Sequence, residues 1–95
     1  MRTIVALQKE INERRFEVKK KIGENLKHFR TESGLTQDEI GEMLGIERTT
    51  VTNIEKTNQN MTLEHLLGFC EAFNVTPNDL LKGIYAELNE VGSDE

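Results

Sequence analysis

Two histidines and one cysteine, His28, His65 and Cys70, are the side chains best suited to metal binding or nucleophilic chemistry. His65 and Cys70 are five positions apart in a predicted helix, which puts them on different faces, and the three together fit no metal site. The sequence contains no phosphate-binding loop of glycines and lysine, no nucleophile elbow and no His-Glu-x-x-His motif. Its carboxylates are spread over polar helix surfaces. We therefore expect no enzyme, no metal and no cofactor, and we expect Cys70 to be a buried thiol.

The composition indicates one small helical domain with an uneven charge. Ninety-five residues with few aromatic side chains are near the lower limit for a self-sufficient core. Residues 1–30 carry nine Lys and Arg against four Glu, whereas residues 31–95 carry three against thirteen Asp and Glu. The single cysteine and the lack of a signal peptide or an apolar run of about 20 residues predict a cytoplasmic protein with no membrane segment. The net charge of −5 gives little long-range attraction to nucleic acid, so such a contact would use one local surface.

Residues 36–55 have the pattern of two short helices joined by a tight turn. Thr36 is a good N-cap, and Glu39 follows three positions later, which completes a capping box. Gly45 stands where the first helix ends, at a position that favours the left-handed conformation. Gly41 faces the second helix, where a larger side chain would hold the two helices apart. The sequence therefore predicts a helix, a turn and a second helix in close contact.

This segment resembles the helix-turn-helix of the phage repressor and Cro (Xre-like) family. The matching residues are Gln37, Ile40, Gly41, Leu44, Gly45, Ile46, Val51, Ile54 and Glu55. The resemblance extends from about Ile22 to Leu81 and implies an all-α fold, with a five-helix repressor-like domain over residues 21–82. It implies a sequence-specific transcriptional regulator, a repressor or autoregulator, that binds double-stranded DNA in the major groove. It also implies a homodimer on an inverted-repeat operator, because one such module buries too little surface for tight binding.

In the family, the second helix of the motif is the recognition helix. The residues that the resemblance implies for base contacts are Arg48, Thr49, Thr52 and Asn53. Those implied for phosphate contacts are Gln37, Thr50, Lys56 and Asn60. Arginine can donate two hydrogen bonds to guanine, asparagine can pair with adenine, and threonine methyl groups fit thymine. Glu47 opposes this interpretation, because its carboxylate precedes the recognition helix and would face a phosphate-rich surface.

The resemblance further implies a structural ion pair between Arg30, in the first domain helix, and Glu55, near the end of the recognition helix. If the pair is partly buried, removal of one partner costs ~3 kcal/mol. If both side chains are exposed, the pair contributes under about 1 kcal/mol. The sequence leaves both possibilities open.

A narrower resemblance covers residues 48–55 and 60–63, which are similar to the controller proteins of restriction-modification operons. An antitoxin or a phage-type repressor would share most of these residues. The alternative function is a protein-interaction module or an antitoxin-like partner protein that uses the same fold. The acidic surface and Glu47 favour this alternative, whereas Gln37, Arg48 and Asn53 in register oppose it. No site for a small-molecule effector is evident.

Two helical extensions flank the domain. Residues 1–20 carry an apolar stripe at helical spacing, interrupted by Arg14, and its members are Ile4, Leu7, Ile11 and Val18. This segment either packs on its own domain or serves as a dimerising or DNA-contacting arm. The helix after Thr62 has a predicted apolar face of Leu63, Leu66, Leu67, Cys70 and Phe73. Residues 83–95 are predicted to be a C-terminal helix extension and frayed tail, and the predicted dimer surface is Leu81, Ile84, Tyr85 and Leu88.

Overall fold

The computed structural model describes residues 3–57 and 61–84, which form five α-helices and no strand. In chain order the helices are α1 (Ile4–Glu32), α2 (Gln37–Leu44), α3 (Arg48–Thr57), α4 (Leu63–Phe73) and α5 (Pro77–Leu81). The all-helical architecture that the sequence predicts is confirmed for these ranges. The predicted extension after Ile84 lies outside the described residues, as does Asn60.

The predicted N-terminal extension and the first domain helix form one continuous helix, α1, of 29 residues. It begins at the N-cap Thr3, whose hydroxyl accepts a hydrogen bond from the Ala6 amide at 3.1 Å. The buried residues of α1 are Gly23 and Leu26, both in its second half. The packing of α1 on the other helices is therefore confined to its second half, and its first half is largely exposed.

Threonine side chains cap the N-termini of α2, α4 and α5. Thr36, Thr62 and Thr76 each accept a hydrogen bond from the amide three residues later. In each case the side chain at that later position accepts from the threonine amide, and these side chains are Glu39, His65 and Asp79. Helix α2 ends at Gly45 with φ 72°, and α4 ends at Asn74 with φ 58°. Local sequence thus fixes where these helices begin and end.

The core draws side chains from all five helices. Its fully buried members are Leu26, Ile40, Val51, Ile54, Phe69 and Leu80. The predicted face of α4 was wrong in part, because Leu63 and Leu67 are 70% and 48% exposed, while Phe69 is fully buried. Helix α4 carries apolar side chains around most of its circumference, so periodicity does not select the face that packs on α1, α2 and α5.

Two glycines allow close approach of the backbone around α3. A Cβ atom on Gly23 of α1 would lie 2.6 Å from the Glu55 carbonyl oxygen and 2.7 Å from that of Ile54. A Cβ atom on Gly41 of α2 would lie 2.7 Å from the Ile46 carbonyl oxygen, in the turn that leads into α3. Both contacts bring α3 nearer to its neighbours than any larger side chain permits, and so they fix its position on the domain.

Candidate nucleic-acid interface

Helix α3 has one face in the core and the opposite face open to solvent. The buried face consists of Val51 and Ile54, with no exposed surface, and Glu55 at 5%. The exposed side chains are Arg48, Thr49, Asn53 and Lys56, and Thr52 is half-buried between them. Because successive turns of a helix align residues three and four apart, these polar side chains share one surface. The predicted base-contacting residues are therefore brought together on α3.

An ion pair anchors the end of α3 to α1. Arg30 Nε donates a hydrogen bond to Glu55 Oε2 at 2.6 Å, and a terminal nitrogen of the same guanidinium donates to Glu55 Oε1 at 3.2 Å. The other terminal nitrogen donates to the Leu35 carbonyl oxygen at 2.9 Å. The side chains of Arg30 and Glu55 are only 14% and 3% exposed. The ion pair is thus present as the sequence predicts. Of the two possibilities that the sequence left open, a partly buried pair or an exposed one, the structure shows the partly buried pair.

Gln37, at the first turn of α2, extends this cluster to the exposed face of α3. Its side-chain nitrogen donates to Glu55 Oε1 at 3.0 Å, and its side-chain oxygen accepts from the Thr52 hydroxyl at 2.8 Å. The Thr52 hydroxyl oxygen also lies 3.1 Å from the Arg48 carbonyl oxygen. We call Arg30, Gln37, Thr52 and Glu55 the polar bridge, because these four side chains join α1, α2 and α3.

The two hydrogen bonds of the Gln37 side chain, to Glu55 and to Thr52, are the part of the polar bridge that the sequence did not predict. The predicted roles of Gln37 as a phosphate contact and Thr52 as a base contact remain predictions. In the bridge, the Thr52 hydroxyl donates its proton inside the protein, so its lone pairs and its methyl group are what remain for DNA.

The other predicted contact residues differ in how far the structure describes them. Thr50 is half-buried at the first turn of α3, and Asn60 lies outside the described residues. The Glu47 carbonyl accepts the first amide hydrogen bonds of α3, from Thr50 at 3.0 Å and Val51 at 3.2 Å. The Glu47 residue is exposed. The negative charge of Glu47 lies at the N-terminus of α3, where it complements the helix dipole. The same charge would repel phosphate and so would weaken nonspecific contact with DNA.

The predicted dimer surface is only partly within the described residues. Ile84 is 3% exposed and lies in the core, so its side chain offers almost no area to a second copy. Leu81 is half-buried, and Tyr85 and Leu88 lie outside the described residues. The α5 end of the domain is held to α1 by a hydrogen bond of 2.7 Å from the Asn25 side chain to the Leu80 carbonyl oxygen.

The side chains suited to metal or nucleophilic chemistry have structural roles in the described ranges. His65 caps α4, and Cys70 is a free, buried thiol. Burial raises the pKa of the Cys70 thiol, and the nearby charge of Asp79 raises it further, so the thiolate is disfavoured. No group of three His, Cys, Asp or Glu side chains that could hold a metal ion occurs among the described residues. No helix in these ranges is long and apolar enough to cross a membrane.

Helices α2 and α3, the tight turn at Gly45 and the polar exposed face of α3 define a helix-turn-helix domain. Residues 25–84 match the family model described as the Cro/C1-type HTH DNA-binding domain. Because this match spans more than half of the chain, the protein belongs to the Cro/C1-type helix-turn-helix family. That family is made up of DNA-binding transcriptional regulators and not of enzymes.

Controller proteins are among the relatives of this chain. The control protein C.SmaI of Serratia marcescens is 29% identical over 65 residues, which are 68% of this chain and 77% of that protein. The crystal structure of the restriction-modification controller protein C.AhdI from Aeromonas hydrophila matches with a TM-score of 0.60 at 30% identity. That match covers 64% of this chain and 92% of C.AhdI.

The fold is shared more widely than the controller proteins. The clp gene regulator ClgR from Corynebacterium glutamicum matches with a TM-score of 0.68 at 20% identity. The match covers 80% of this chain and 81% of that chain. At this identity the likeness shows the fold alone, so the choice among kinds of regulator must come from the site itself.

Proposed function

We propose that this protein is a sequence-specific transcriptional regulator that binds an inverted-repeat operator as a homodimer, with α3 in the major groove. The observation that carries the proposal is the two-sided character of α3. Its apolar face is fully buried, and its opposite face presents Arg48, Thr49, Asn53 and Lys56 to solvent. A helix held this rigidly can enter a groove without reordering, which lowers the entropy cost of binding.

The position of each side chain on α3 gives it a distinct part in recognition. Arg48 and Thr49 are in the first turn, which enters the groove most deeply in this type of domain. Arg48 would donate two hydrogen bonds to guanine, a contact worth ~1–3 kcal/mol of discrimination. Asn53 would pair with adenine, and Lys56, in the last turn, would contact phosphate. The Thr52 methyl group is suited to thymine.

Two copies are needed for tight and specific binding. A single small module buries less than the ~1,000–2,500 Å² of protein surface that is typical of specific DNA complexes. Two recognition helices about 34 Å apart would read half-sites one helical turn apart. The controller-protein relatives support the narrower proposal that the operator lies in a restriction-modification operon, where the protein would repress or regulate its own transcription. It would act where the DNA is, in the cytoplasm.

Selection of binding sites from a random duplex library tests the proposal. Wild type, Arg48→Ala, Lys56→Ala and Lys27→Ala would be compared, with Lys27 as an exposed lysine on α1 and hence a matched control. We expect wild type and Lys27→Ala to enrich the same inverted repeat, and Arg48→Ala to lose preference at one base pair per half-site. Lys56→Ala should keep the preference and lower the slope of log affinity against log salt by about 1.

A protein-interaction module is the second candidate, and one surface favours it. Met43, Leu63 and Leu67 are exposed apolar side chains on α2 and α4, and Glu64 and Glu71 lie beside them. Such a surface suits a protein partner more than DNA. If folded wild type enriches no duplex at low salt, and Arg48→Ala changes nothing, the regulator proposal is wrong and this surface becomes the site to study.

A further inference from the structure

An apolar stripe runs along α1 from the domain to the N-terminus of the helix. Its members are Ile4, Leu7, Ile11 and Val18, of which the first three are exposed and Val18 is half-buried. The stripe continues the face that carries Ile22 and Leu26 into the core, because these residues follow Val18 at helical spacing. The core face of α1 thus extends beyond the part of α1 that carries its buried residues, Gly23 and Leu26.

We propose that this stripe is a contact between two copies of the chain, in which residues 4–18 of α1 pack antiparallel on the same residues of a second copy. Residues 4–21 form about five turns, roughly 27 Å of helix, which is long enough for a paired contact. The inference rests on the proposed homodimer and not on DNA binding. It places the dimer contact on α1, as an alternative to the C-terminal surface predicted from the sequence.

The antiparallel direction follows from where each domain lies on its own α1. From about Ile22 onward, the face that carries the stripe is covered by α3, α4 and α5 of the same chain. A second α1 laid parallel on the stripe would drive its own residues 22–32 into these helices. Laid antiparallel, its residues 22–32 and its domain pass beyond the N-terminus of the first helix, and the two stripes overlap fully.

Charge favours the same direction. Arg14 interrupts the stripe between Ile11 and Val18. In a parallel pair the two Arg14 side chains would face each other across the contact, and like charges at close range repel each other. In an antiparallel pair centred on Ile11, Arg14 would face position 8 of the second copy, which is an uncharged glutamine. Arg14 would therefore weaken a parallel pair but is tolerated in the antiparallel pair.

The contact is small, and this determines how it should be measured. Four side chains on one helix face bury well under the roughly 800 Å² per partner of a standard interface, so we expect weak association. Because it depends on apolar surface, sodium chloride should not weaken it. Salt does weaken contacts to phosphate, which gives an independent way to separate this association from DNA binding.

The first test is the solution mass of full-length variants, by analytical ultracentrifugation across a concentration series. Ile11→Asp places a charge in the stripe, and Phe16→Asp is the matched control, because Ile11 and Phe16 are 53% and 58% exposed on opposite sides of α1. We expect Ile11→Asp to weaken the dimer about tenfold or more, and Phe16→Asp by less than about twofold. The double variant Leu7→Ala/Ile11→Ala should also weaken it, although alanine favours the helix.

The second test is crosslinking of Ile4→Cys/Val18→Cys with a short bismaleimide. The two positions are about 21 Å apart along one helix, which is too far for a link within one chain. We expect covalent dimers from the double variant and few from Ile4→Cys alone, because only a parallel pair brings position 4 beside position 4. Wild type is the control for Cys70, which is buried and therefore slow to react.

Each outcome supports or overturns a separate statement. A wild type that stays at the 10.9 kDa monomer mass at all concentrations contradicts the proposed homodimer and this contact together. A wild-type dimer that Ile11→Asp leaves intact contradicts only the assignment to α1. Unchanged mass with a lower melting temperature in Ile11→Asp would mean that another part of the same chain covers the stripe, which also overturns the inference.

Discussion

Arg30 on α1 and Glu55 on α3 are joined by two hydrogen bonds, of 2.6 and 3.2 Å, between side chains that are almost removed from water. The C-terminal half of α3 is thereby fixed to α1, the longest of the described helices. Gln37 donates to the same carboxylate and accepts from Thr52, so the pair is connected to the exposed face of α3. The orientation of the exposed face of α3 therefore depends on this buried carboxylate.

Arg30→Ala should lower the free energy of unfolding by ~3 kcal/mol, because it leaves the Glu55 carboxylate buried without its cation. Urea unfolding measures this, with Arg15→Ala, an exposed arginine on the same helix, expected to change it by less than about 0.5 kcal/mol. The double variant Arg30→Met/Glu55→Leu should recover most of the loss, since no charge is left buried. A loss below about 0.5 kcal/mol in Arg30→Ala would contradict this account of the pair.

Gly23→Ala should destabilise the domain although alanine is the better helix former. The gain in helix propensity is about 1 kcal/mol. Against it, the new Cβ would lie 2.6 and 2.7 Å from two backbone carbonyl oxygens of α3, which no rotamer change can relieve. Overpacking of this kind costs about 1–3 kcal/mol, so we expect a net loss of stability in urea unfolding. Glu24→Ala, at the exposed position next to it, should stay within about 0.5 kcal/mol of wild type.

The sequence predicts best what depends on neighbouring residues. Thr36 with Glu39 marks the start of α2 and Gly45 marks its end, because caps and left-handed residues depend on local chemistry. The pair of Arg30 and Glu55 came from the family resemblance, since 25 positions separate them and no local rule joins them.

What the sequence missed depends on how helices pack. Periodicity favoured Leu63 and Leu67 for the buried face of α4, but the three helices around α4 select the side that carries Phe69. The bonds of Gln37 to Glu55 and Thr52 could not be read from spacing, because they require the closeness of α2 and α3 that Gly41 permits. The exposure of the apolar stripe on α1 also depends on packing, because the other helices cover α1 only from about Ile22 onward.

Gln37 and Thr52 should be energetically coupled. Gln37→Ala and Thr52→Val each remove their shared hydrogen bond, and each should cost about 1 kcal/mol of unfolding free energy. The double variant should cost about 0.5–1 kcal/mol less than the sum, because the bond can be lost only once. Thr49→Val, at an exposed position of the same helix, is the control and should be additive with Gln37→Ala. An additive result for Thr52→Val would mean that the bond contributes nothing in solution.

Asp79 should make the stability of the α5 end depend on acid pH. Hydrogen bonds from the Thr76 amide and hydroxyl hold the pKa of the Asp79 carboxyl below its usual 3.8, and Lys82 lowers it further. A carboxyl whose pKa is lower in the folded state stabilises that state above pH 3.8, and the contribution is lost as pH falls through the folded value. The difference in melting temperature between wild type and Asp79→Asn should therefore be largest at neutral pH and should shrink in acid. Asp38→Asn is the control, because it makes the same change from carboxyl to amide in the first turn of another helix, α2. A difference that stays constant down to pH 3 would show that the carboxylate charge does not contribute to this cap.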